Sequence, residues 1–404
     1  MKIMLLTPFY AIKGRKDLYE DTRAIHYFTK EWAKQGHEVL VVHTYFTPLK
    51  RIKQNIINFQ SLLFSSSKPT YTLIDGVKII LFVNIKMSIG LPKFTRKQET
   101  VIKNEIQQIL NNEESRPDII IFHFPTIYLN LMKSLVINPN IKIVGVFHNL
   151  DIKNLNKHLK KFDLNFIKEF DGVGFRSNSI KKKFNQIIKF NKKEFMVYSG
   201  APDKYPKKIT YNNKEIKKTN KIMKILYVGK LIKRKNVDLI LHALKKIDNK
   251  YNFEFHIIGE GPEKRKLIKL VNKLNIKNRV EFIKPMPREQ VLDVMKKSNI
   301  FVMPSVNETF GIVYIEALAS GCITIGTKDE GIDGIIKDNI NGFLIKKNDV
   351  SDLIKKLDLI FNLPQENIIK IIENGYKTAE KYLESKVANN YLNQLKEILN
   401  YKKM

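Results

Sequence analysis

The sequence predicts an α/β fold of two domains, each built on a parallel β-sheet covered by helices. Apolar runs of strand length alternate with longer amphipathic stretches, as expected when helices connect parallel strands. A stretch rich in Lys, Asn and Thr, residues 202–222, interrupts this alternation, which then starts again. The length of 404 residues is enough for about two domains.

The first domain is predicted at residues 1–201, followed by a linker at residues 202–222. A helix is expected at Thr22–Gln35, because apolar residues have helical spacing there and Gly36 follows the last turn. The apolar runs of this domain predict strands at Lys2–Thr7, Val39–His43, Val77–Val83, Asp118–Phe122, Lys142–Phe147, Gly172–Phe175 and Phe195–Tyr198.

The second domain is predicted at residues 223–365. Its strands are expected at Lys224–Val228, Phe253–Ile258, Val280–Ile283, Ile300–Met303, Ile323–Gly326 and Gly342–Ile345. Residues 366–404 have apolar residues at helical spacing and are predicted as a C-terminal helical segment. The pattern leaves open whether this segment packs back on the first domain.

The composition favours a cytoplasmic protein. The amino terminus is interpreted as a buried strand and not as an export signal, because Pro8 breaks the apolar run and Lys13, Arg15 and Lys16 follow. No uncharged apolar stretch approaches the roughly 20 residues that a membrane-spanning helix needs. Cys322 is the single cysteine, so no internal disulfide can form.

The net charge of +31, from 71 Lys and Arg against 40 Asp and Glu, would attract phosphate groups. Nucleic acid, anionic lipid headgroups and a polyanionic substrate all carry such groups, and a general bias towards lysine explains the charge equally well. No basic and aromatic recognition motif or zinc finger is visible, so no specific nucleic acid partner is expected.

The segment Ser305–Gly321 has a pattern typical of a ligand site. It follows a predicted strand, places Glu308 on the loop, and continues into a helix that contains Glu316. Carboxylates there can bind the hydroxyls of a sugar or ribose, and the amides of Phe310 and Gly311 would lie beside the ligand. Alternatively, Glu308 only favours the helix dipole and Glu316 lies on the surface.

The segment Val228–Asn236 also follows a predicted strand directly. Gly229 permits close approach of the backbone, and Lys230 and Lys235 can bind a diphosphate from two sides and neutralise the charge of a leaving nucleoside diphosphate. In so basic a chain, these lysines can equally be a solvated surface.

Two further elements are weaker. The turn Gly259–Pro262, with Glu260, ends a strand in the way many turns do. His148 ends the predicted strand Lys142–Phe147 and lies at the carboxyl edge of the first sheet, although a single histidine is more often structural. No metal-ligand spacing is present, so a metal site is not expected.

Taken in order, these segments resemble the family 4 retaining glycosyltransferases, which have the GT-B fold of two Rossmann-like domains facing across a cleft. That family carries a Gly-Arg-Leu-x-x-x-Lys-Gly turn, a Gly-x-Gly-Pro turn and a Glu-x-Phe-Gly segment followed by a second Glu. The matching segments are Gly229–Asn236, Gly259–Pro262 and Glu308–Glu316, and the resemblance covers residues 224–345, including Gly331–Ile336 and Asn341–Leu344.

The resemblance implies transfer of a sugar from a UDP-, GDP- or ADP-sugar to a glycan or lipid-linked acceptor, with retained configuration and no required metal or cofactor. It also implies that Glu308 and His148 are catalytic residues and that Glu308 acts by positioning the sugar. The implied donor-binding residues are Gly229, Lys230, Lys235, Glu260, Thr309, Phe310, Gly311, Ile312 and Glu316. Gly14 and Arg15 are the implied residues of the acceptor-side loop, which is rich in glycine in the family and has only one glycine here.

Some positions depart from the family pattern. Lys230 replaces Arg, Asn236 replaces Gly, and Asn149 replaces the Asp that follows the histidine. Another sugar-nucleotide enzyme of the same fold, such as an epimerase, and a basic nucleic-acid-binding protein are the alternatives.

A role in the assembly of cell-surface polysaccharide or glycolipid is a plausible setting for such an enzyme. The basic stretch Lys153–Phe170, with Phe162 and Phe166 at helical spacing, and the cluster Lys181–Lys183 predict a peripheral contact with the anionic inner face of the membrane. A solvated helix that packs by its apolar side explains the same pattern.

Overall fold

The computed structural model describes residues 1–10, 24–48, 69–86, 94–158, 164–204 and 222–400. They divide into two compact units. The first unit comprises Met1–Arg176, Ile180–Tyr198 and the segment from Glu384 onwards, and the second comprises Ser177–Ser179 and Ser199–Leu383. Each unit contains a β-sheet flanked by helices, so the predicted α/β fold of two domains is confirmed.

The first unit is built on an eight-stranded sheet, within the described residues, of order β3-β4-β2-β1-β5-β6-β7-β8. Every pairing is parallel except that of β3 with β4. The strands are β1 (Lys2–Thr7), β2 (Glu38–Pro48), β3 (Thr70–Ile74), β4 (Val77–Lys86), β5 (Ile119–His123), β6 (Lys142–Phe147), β7 (Gly172–Phe175) and β8 (Lys193–Met196).

Strands β1, β6 and β7 have the bounds predicted from the sequence. Strand β3 was not predicted, because it lies at the edge of the sheet with Tyr71 and Leu73 largely exposed and so lacks a buried apolar run. Strand β8 begins two residues before the predicted Phe195 and ends at Met196.

The helices of the first unit cover the sheet. They are α1 (Ala24–Lys34), α2 (Arg96–Asn111), α3 (Leu129–Ser134), α4 (Asn149–His158), α5 (Asn178–Asn185) and the C-terminal α12 (Glu384–Asn400). The first two residues of α5 belong to the second unit. The Thr95 side chain accepts a hydrogen bond from the Gln98 amide and so caps α2.

Helix α12 completes the core of the first unit by packing on α1. The indole Nε1 of Trp32 donates to the carbonyl of Ala388 over 3.0 Å, and the Tyr391 ring meets the rings of Phe28 and Trp32 edge-on. Trp32 is fully buried as a result.

The second unit is built on a six-stranded parallel sheet, among the described residues, of order β11-β10-β9-β12-β13-β14. The strands are β9 (Met223–Val228), β10 (Phe253–Ile258), β11 (Val280–Ile283), β12 (Ile300–Val302), β13 (Ile323–Thr327) and β14 (Phe343–Ile345). The helices are α6 (Val237–Ile247), α7 (Lys264–Lys273), α8 (Arg288–Lys296), α9 (Ile312–Ala319), α10 (Val350–Asn362) and α11 (Gln365–Ala379).

The C-terminal segment predicted at 366–404 is two helices. Helix α11 remains in the second unit, and the chain leaves it through an extended residue, Leu383, before α12 begins in the first unit. None of the described helices is long and apolar enough to cross a lipid bilayer.

Candidate functional site

Two of the predicted motifs meet in the second unit. The loops that follow β9 and β12 are neighbours because these strands are adjacent in the sheet. The amide of Val306 donates to the carbonyl of Arg234 over 2.8 Å, and the side-chain amide of Asn236 donates to the carbonyl of Pro304 over 3.0 Å. The carboxyl edge of an open parallel sheet is the usual place for a ligand.

The central contact between these loops is an ion pair. The ammonium of Lys235 lies 2.5 Å from Glu308 Oε2, and both side chains are only 11% exposed. Arg234 Nη1 and the Ser305 hydroxyl donate to the same oxygen over 3.2 and 3.1 Å. Glu308 Oε1 has no hydrogen-bond partner among the described residues.

Burial and charge oppose each other at this pair. Burial alone would raise the pKa of Glu308, but the positive charges of Lys235 and Arg234 outweigh it and hold the pKa below its ordinary value. Burial lowers the pKa of Lys235, although Glu308 acts against this. Glu308 is therefore an ionised carboxylate at neutral pH.

A left-handed residue shapes the first loop. Asn236 has φ of 49°, a backbone conformation that glycine and asparagine adopt at least cost. It stands where the glycosyltransferase family 4 pattern has glycine, so this departure keeps the required geometry. The side chain of Asn236 adds hydrogen bonds to Pro304 and to Asn348.

The turn Gly259–Pro262 supports the loop after β9. A Cβ atom at Gly259 would lie 2.0 Å from the carbonyl oxygen of Gly229, and one at Gly261 would lie 2.3 Å from that of Leu231. The Leu231 amide also donates to the carbonyl of Glu260 over 2.8 Å. The two glycines are therefore required by close backbone contact.

The side chains of Glu260 and Lys230 lie outside the Lys235–Glu308 cluster. Glu260 is half exposed and pairs with Lys264. Lys230 is exposed, and its carbonyl accepts a hydrogen bond from the Tyr227 hydroxyl over 3.0 Å. Their assignment to the donor stays a prediction.

The loop after Glu308 enters helix α9 through a glycine. Gly311 has φ of 79°, and its carbonyl accepts the Tyr314 amide over 3.0 Å. The Phe310 side chain is buried, while Thr309 and Ile312 are half-buried.

Glu316 is buried on α9, which excludes the alternative that it lies on the surface. Its Oε1 accepts from Arg288 Nε over 2.5 Å. Its Oε2 has no hydrogen-bond partner within the described part of the chain. Glu308 and Glu316 thus share one arrangement, in which one carboxylate oxygen is held by a cation of the protein.

Sequence reasoning missed three side chains at this site. Arg234 lies inside the basic segment Val228–Asn236. Arg288 begins helix α8, and nothing in the sequence distinguishes it from the many other cations of this chain. Glu330 is buried, accepts the Glu308 amide over 2.9 Å and lies 3.0 Å from the Lys347 ammonium. Glu330 therefore fixes the loop that carries Glu308.

His148 belongs to the first unit and sits in a buried cluster of aromatic rings. Its Nε2 lies 3.2 Å from His123 Nδ1, and its ring stacks on Phe124 with centroids 3.6 Å apart. Burial, and then the proximity of His123 and Arg176, hold the pKa of His148 well below its ordinary value. His148 is therefore neutral at pH 7.

The backbone at His148 is fixed by an acid. Asp151 accepts the His148 amide over 2.8 Å and the Thr126 amide and hydroxyl over 3.0 and 2.6 Å. Burial raises the pKa of Asp151 to about 6, although these hydrogen bonds act against it.

The remaining predictions for the first unit are less complete. Gly14, Arg15 and Phe162 lie outside the described residues. Phe166, the second ring that motivated a membrane contact, is buried in the core, and Lys181 pairs with Glu194 over 2.9 Å. A peripheral membrane contact stays a prediction. Phe166 cannot serve as its apolar anchor, because the side chain is buried.

Comparison with solved structures identifies the fold class. A glycosyltransferase from Rickettsia africae ESF-5 superposes with a TM-score of 0.70 over 98% of both chains, at 18% identity. The HepE protein of Anabaena in complex with UDP and glucose gives 0.64 over 98% of this chain and 100% of that chain, at 14% identity. The protein therefore has the GT-B fold, as predicted.

The family comparison concerns the second unit. Residues 207–378 match the model of the family Glycosyl transferases group 1. An uncharacterized glycosyltransferase of Methanocaldococcus jannaschii is 32% identical over 211 residues, which are 51% of this chain and 54% of that protein. The chain thus spans about half the length of this curated relative.

Proposed function

We propose that this protein is a glycosyltransferase that moves a sugar from a nucleoside diphosphate sugar to an acceptor. The observation that carries the proposal is the Lys235–Glu308 ion pair at 2.5 Å, where the loops after β9 and β12 meet. Support comes from the match of residues 207–378 to the group 1 family and from the shared fold of HepE, whose structure contains UDP and glucose.

The acids bind the donor through their remaining oxygens. Glu308 Oε1 accepts a hydroxyl of the sugar, while Oε2 stays on Lys235, Arg234 and Ser305. Glu316 Oε2 accepts a ribose hydroxyl, while Oε1 stays on Arg288. Held acids of this kind orient hydroxyls with little reorganisation.

The cations stabilise the leaving group. Lys235 and Lys230 neutralise the charge that develops on the nucleoside diphosphate as the glycosidic bond breaks. Three donors on Glu308 Oε2 make this oxygen a poor nucleophile. The resemblance to family 4 supports front-face transfer with retained configuration, in which the acceptor oxygen bonds to the anomeric carbon as the bond to the diphosphate breaks and a phosphate oxygen of the leaving group accepts the proton of the acceptor hydroxyl.

The finer assignments follow the sequence resemblance to family 4. The donor is a UDP-, GDP- or ADP-sugar, transfer requires no metal, and the acceptor is a glycan or lipid-linked molecule, in keeping with a role in surface polysaccharide or glycolipid assembly at the cytoplasmic face of the membrane.

The test measures release of nucleoside diphosphate from a panel of UDP-, GDP- and ADP-sugars with mixed lipid-linked and soluble acceptors, in the presence of EDTA. Lys235→Ala and Glu316→Gln should abolish release from the one accepted donor. Lys250→Ala is the matched control, because this lysine forms a surface ion pair with Asp358 instead.

Analysis of the product separates the alternatives. A glycoside with the anomeric configuration of the donor supports retaining transfer, whereas a free epimerised sugar would indicate an epimerase. Binding of no donor in the panel would contradict the proposal.

A further inference from the structure

The cluster around His148 continues through a third buried side chain, which helix α12 provides. The hydroxyl of Tyr391 lies 3.4 Å from His123 Nε2, and His123 Nδ1 lies 3.2 Å from His148 Nε2. All three side chains are buried, and the rings of His123 and Tyr391 meet edge-on. They form one chain of hydrogen bonds, Tyr391–His123–His148.

The polarity of this chain follows from the tyrosine. Among the described residues, His123 Nε2 is the only hydrogen-bond partner of the Tyr391 hydroxyl. If His123 Nε2 carried a proton, the buried hydroxyl hydrogen would lack an acceptor, which is unfavourable. Tyr391 therefore donates, and His123 Nε2 accepts.

The tautomers of both histidines are then determined. Burial, and then the charge of Arg176, lower the pKa of His123 well below its ordinary value, so His123 carries one ring proton. With Nε2 accepting, this proton lies on Nδ1 and is donated to His148 Nε2. His148 is also neutral, and its own proton therefore lies on Nδ1, which has no hydrogen-bond partner within the described residues.

We infer that His123 and Tyr391 are positioning residues that fix the ring proton of His148 on Nδ1, so that His148 presents a hydrogen-bond donor to a substrate oxygen atom and does not act as a base. The role of His148 in transfer rests on the proposed function, whereas the tautomer does not. His148 is thus a neutral donor, which suits a hydroxyl or phosphate oxygen, and its protonated Nδ1 cannot take up a further proton.

The tautomer is measured by nitrogen NMR of the full chain labelled with ¹⁵N-histidine, with His148→Gln and His123→Gln used for assignment. The wild type should show protonated Nδ1 and unprotonated Nε2 at His148. Tyr391→Phe removes the donor that orients His123, so the His148 signals should shift towards an average of both tautomers. Tyr128→Phe is the matched control, because it removes a buried hydroxyl that contacts Thr44 and neither histidine.

A proton on His148 Nε2 in the wild type, or unchanged His148 signals in Tyr391→Phe, would overturn the inference. This readout needs no turnover, so it decides the tautomer even if no donor sugar is transferred. With the accepted donor, kcat of Tyr391→Phe should fall about tenfold, the factor of one hydrogen bond, while the donor KM stays within about twofold. An equal fall in Tyr128→Phe would assign the loss to packing and contradict the positioning role.

Discussion

The two units hold their candidate site residues by opposite means. In the second unit, Glu308 and Glu316 are buried acids whose charges are compensated by Lys235, Arg234 and Arg288. In the first unit, burial keeps His148 neutral and hydrogen bonds fix it. Buried charges with partners are expensive to separate, whereas neutral networks lose about one hydrogen bond per deletion. Substitutions in the two units should therefore have effects that differ in magnitude and in pH dependence.

The largest effect is expected at Glu308. Glu308→Gln removes the charge that holds two cations and a hydroxyl, so kcat/KM with the accepted donor should fall roughly a thousandfold, as for groups aimed at transition-state charge. His148→Gln keeps a neutral donor and should lose only about tenfold. Comparable losses in initial-rate assays of the two variants would remove the contrast between the units.

The next effect is a pH dependence of stability in the first unit. The pKa of Asp151 is raised from 3.8 to about 6 by burial. Its contribution to stability is therefore complete below about pH 4 and is lost as the pH rises through 6, and the loss amounts to about 3 kcal/mol by pH 7.

The measurement for Asp151 is the free energy of unfolding by urea at pH 4 and pH 7, for wild type and Asp151→Asn. The advantage of the wild type over the variant should shrink as the pH rises. An advantage that grows between pH 4 and pH 7 would mean that the buried carboxylate is stabilised as an ion, like Glu308.

A smaller effect tests the glycine turn of the second unit. Gly261→Ala would place a methyl group 2.3 Å from the Leu231 carbonyl oxygen, so it should lower the free energy of unfolding by about 2 kcal/mol. Gly36→Ala, in the first unit, is the matched control for backbone strain, because its φ of +82° is also positive while no atom lies within 4 Å of its added Cβ. If both variants lost the same free energy of unfolding in urea, the tight contact at Gly261 would add no cost to the replacement of a glycine by alanine.

The smallest effect is expected at Arg288. Arg288→Gln leaves Glu316 in place without its cation, so the donor KM should rise about tenfold while kcat changes little, because the lost binding is equal in the ground state and the transition state. Arg279→Gln, which removes an arginine paired with Asp248 elsewhere in the unit, should leave KM unchanged. A fall in kcat alone would place Arg288 at the reacting bond.

The places of Lys235 and Glu308 could be predicted from the sequence. Both lie on loops that follow a strand, and parallel strands carry such loops to one edge of the sheet. Their functions stay predictions. Glu316 follows at a fixed helical distance. Arg288 and Glu330 could not be predicted, because their partners come from distant segments and only packing decides which acid and cation pair.

The first unit was less predictable for a related reason. His148 was identifiable from its place after β6. Its partner His123 lies 25 positions away in the chain, Tyr391, the partner of His123, lies 243 positions from His148, and no charge pattern links the three residues. Apolar spacing predicted a helix around Tyr391, yet periodicity does not specify which surface the helix covers. Gly14 and Arg15 lie outside the described residues.

The return of helix α12 to the first unit has a consequence for synthesis on the ribosome. Trp32 emerges early, but its partner Ala388 is translated only after the whole second unit. At about 5–20 residues per second, the 356 positions that separate the two residues take roughly 20–70 seconds to translate. During that time the surface of α1 that α12 will cover has no native partner, so the nascent first unit is a ready client for chaperones until the last helix is made.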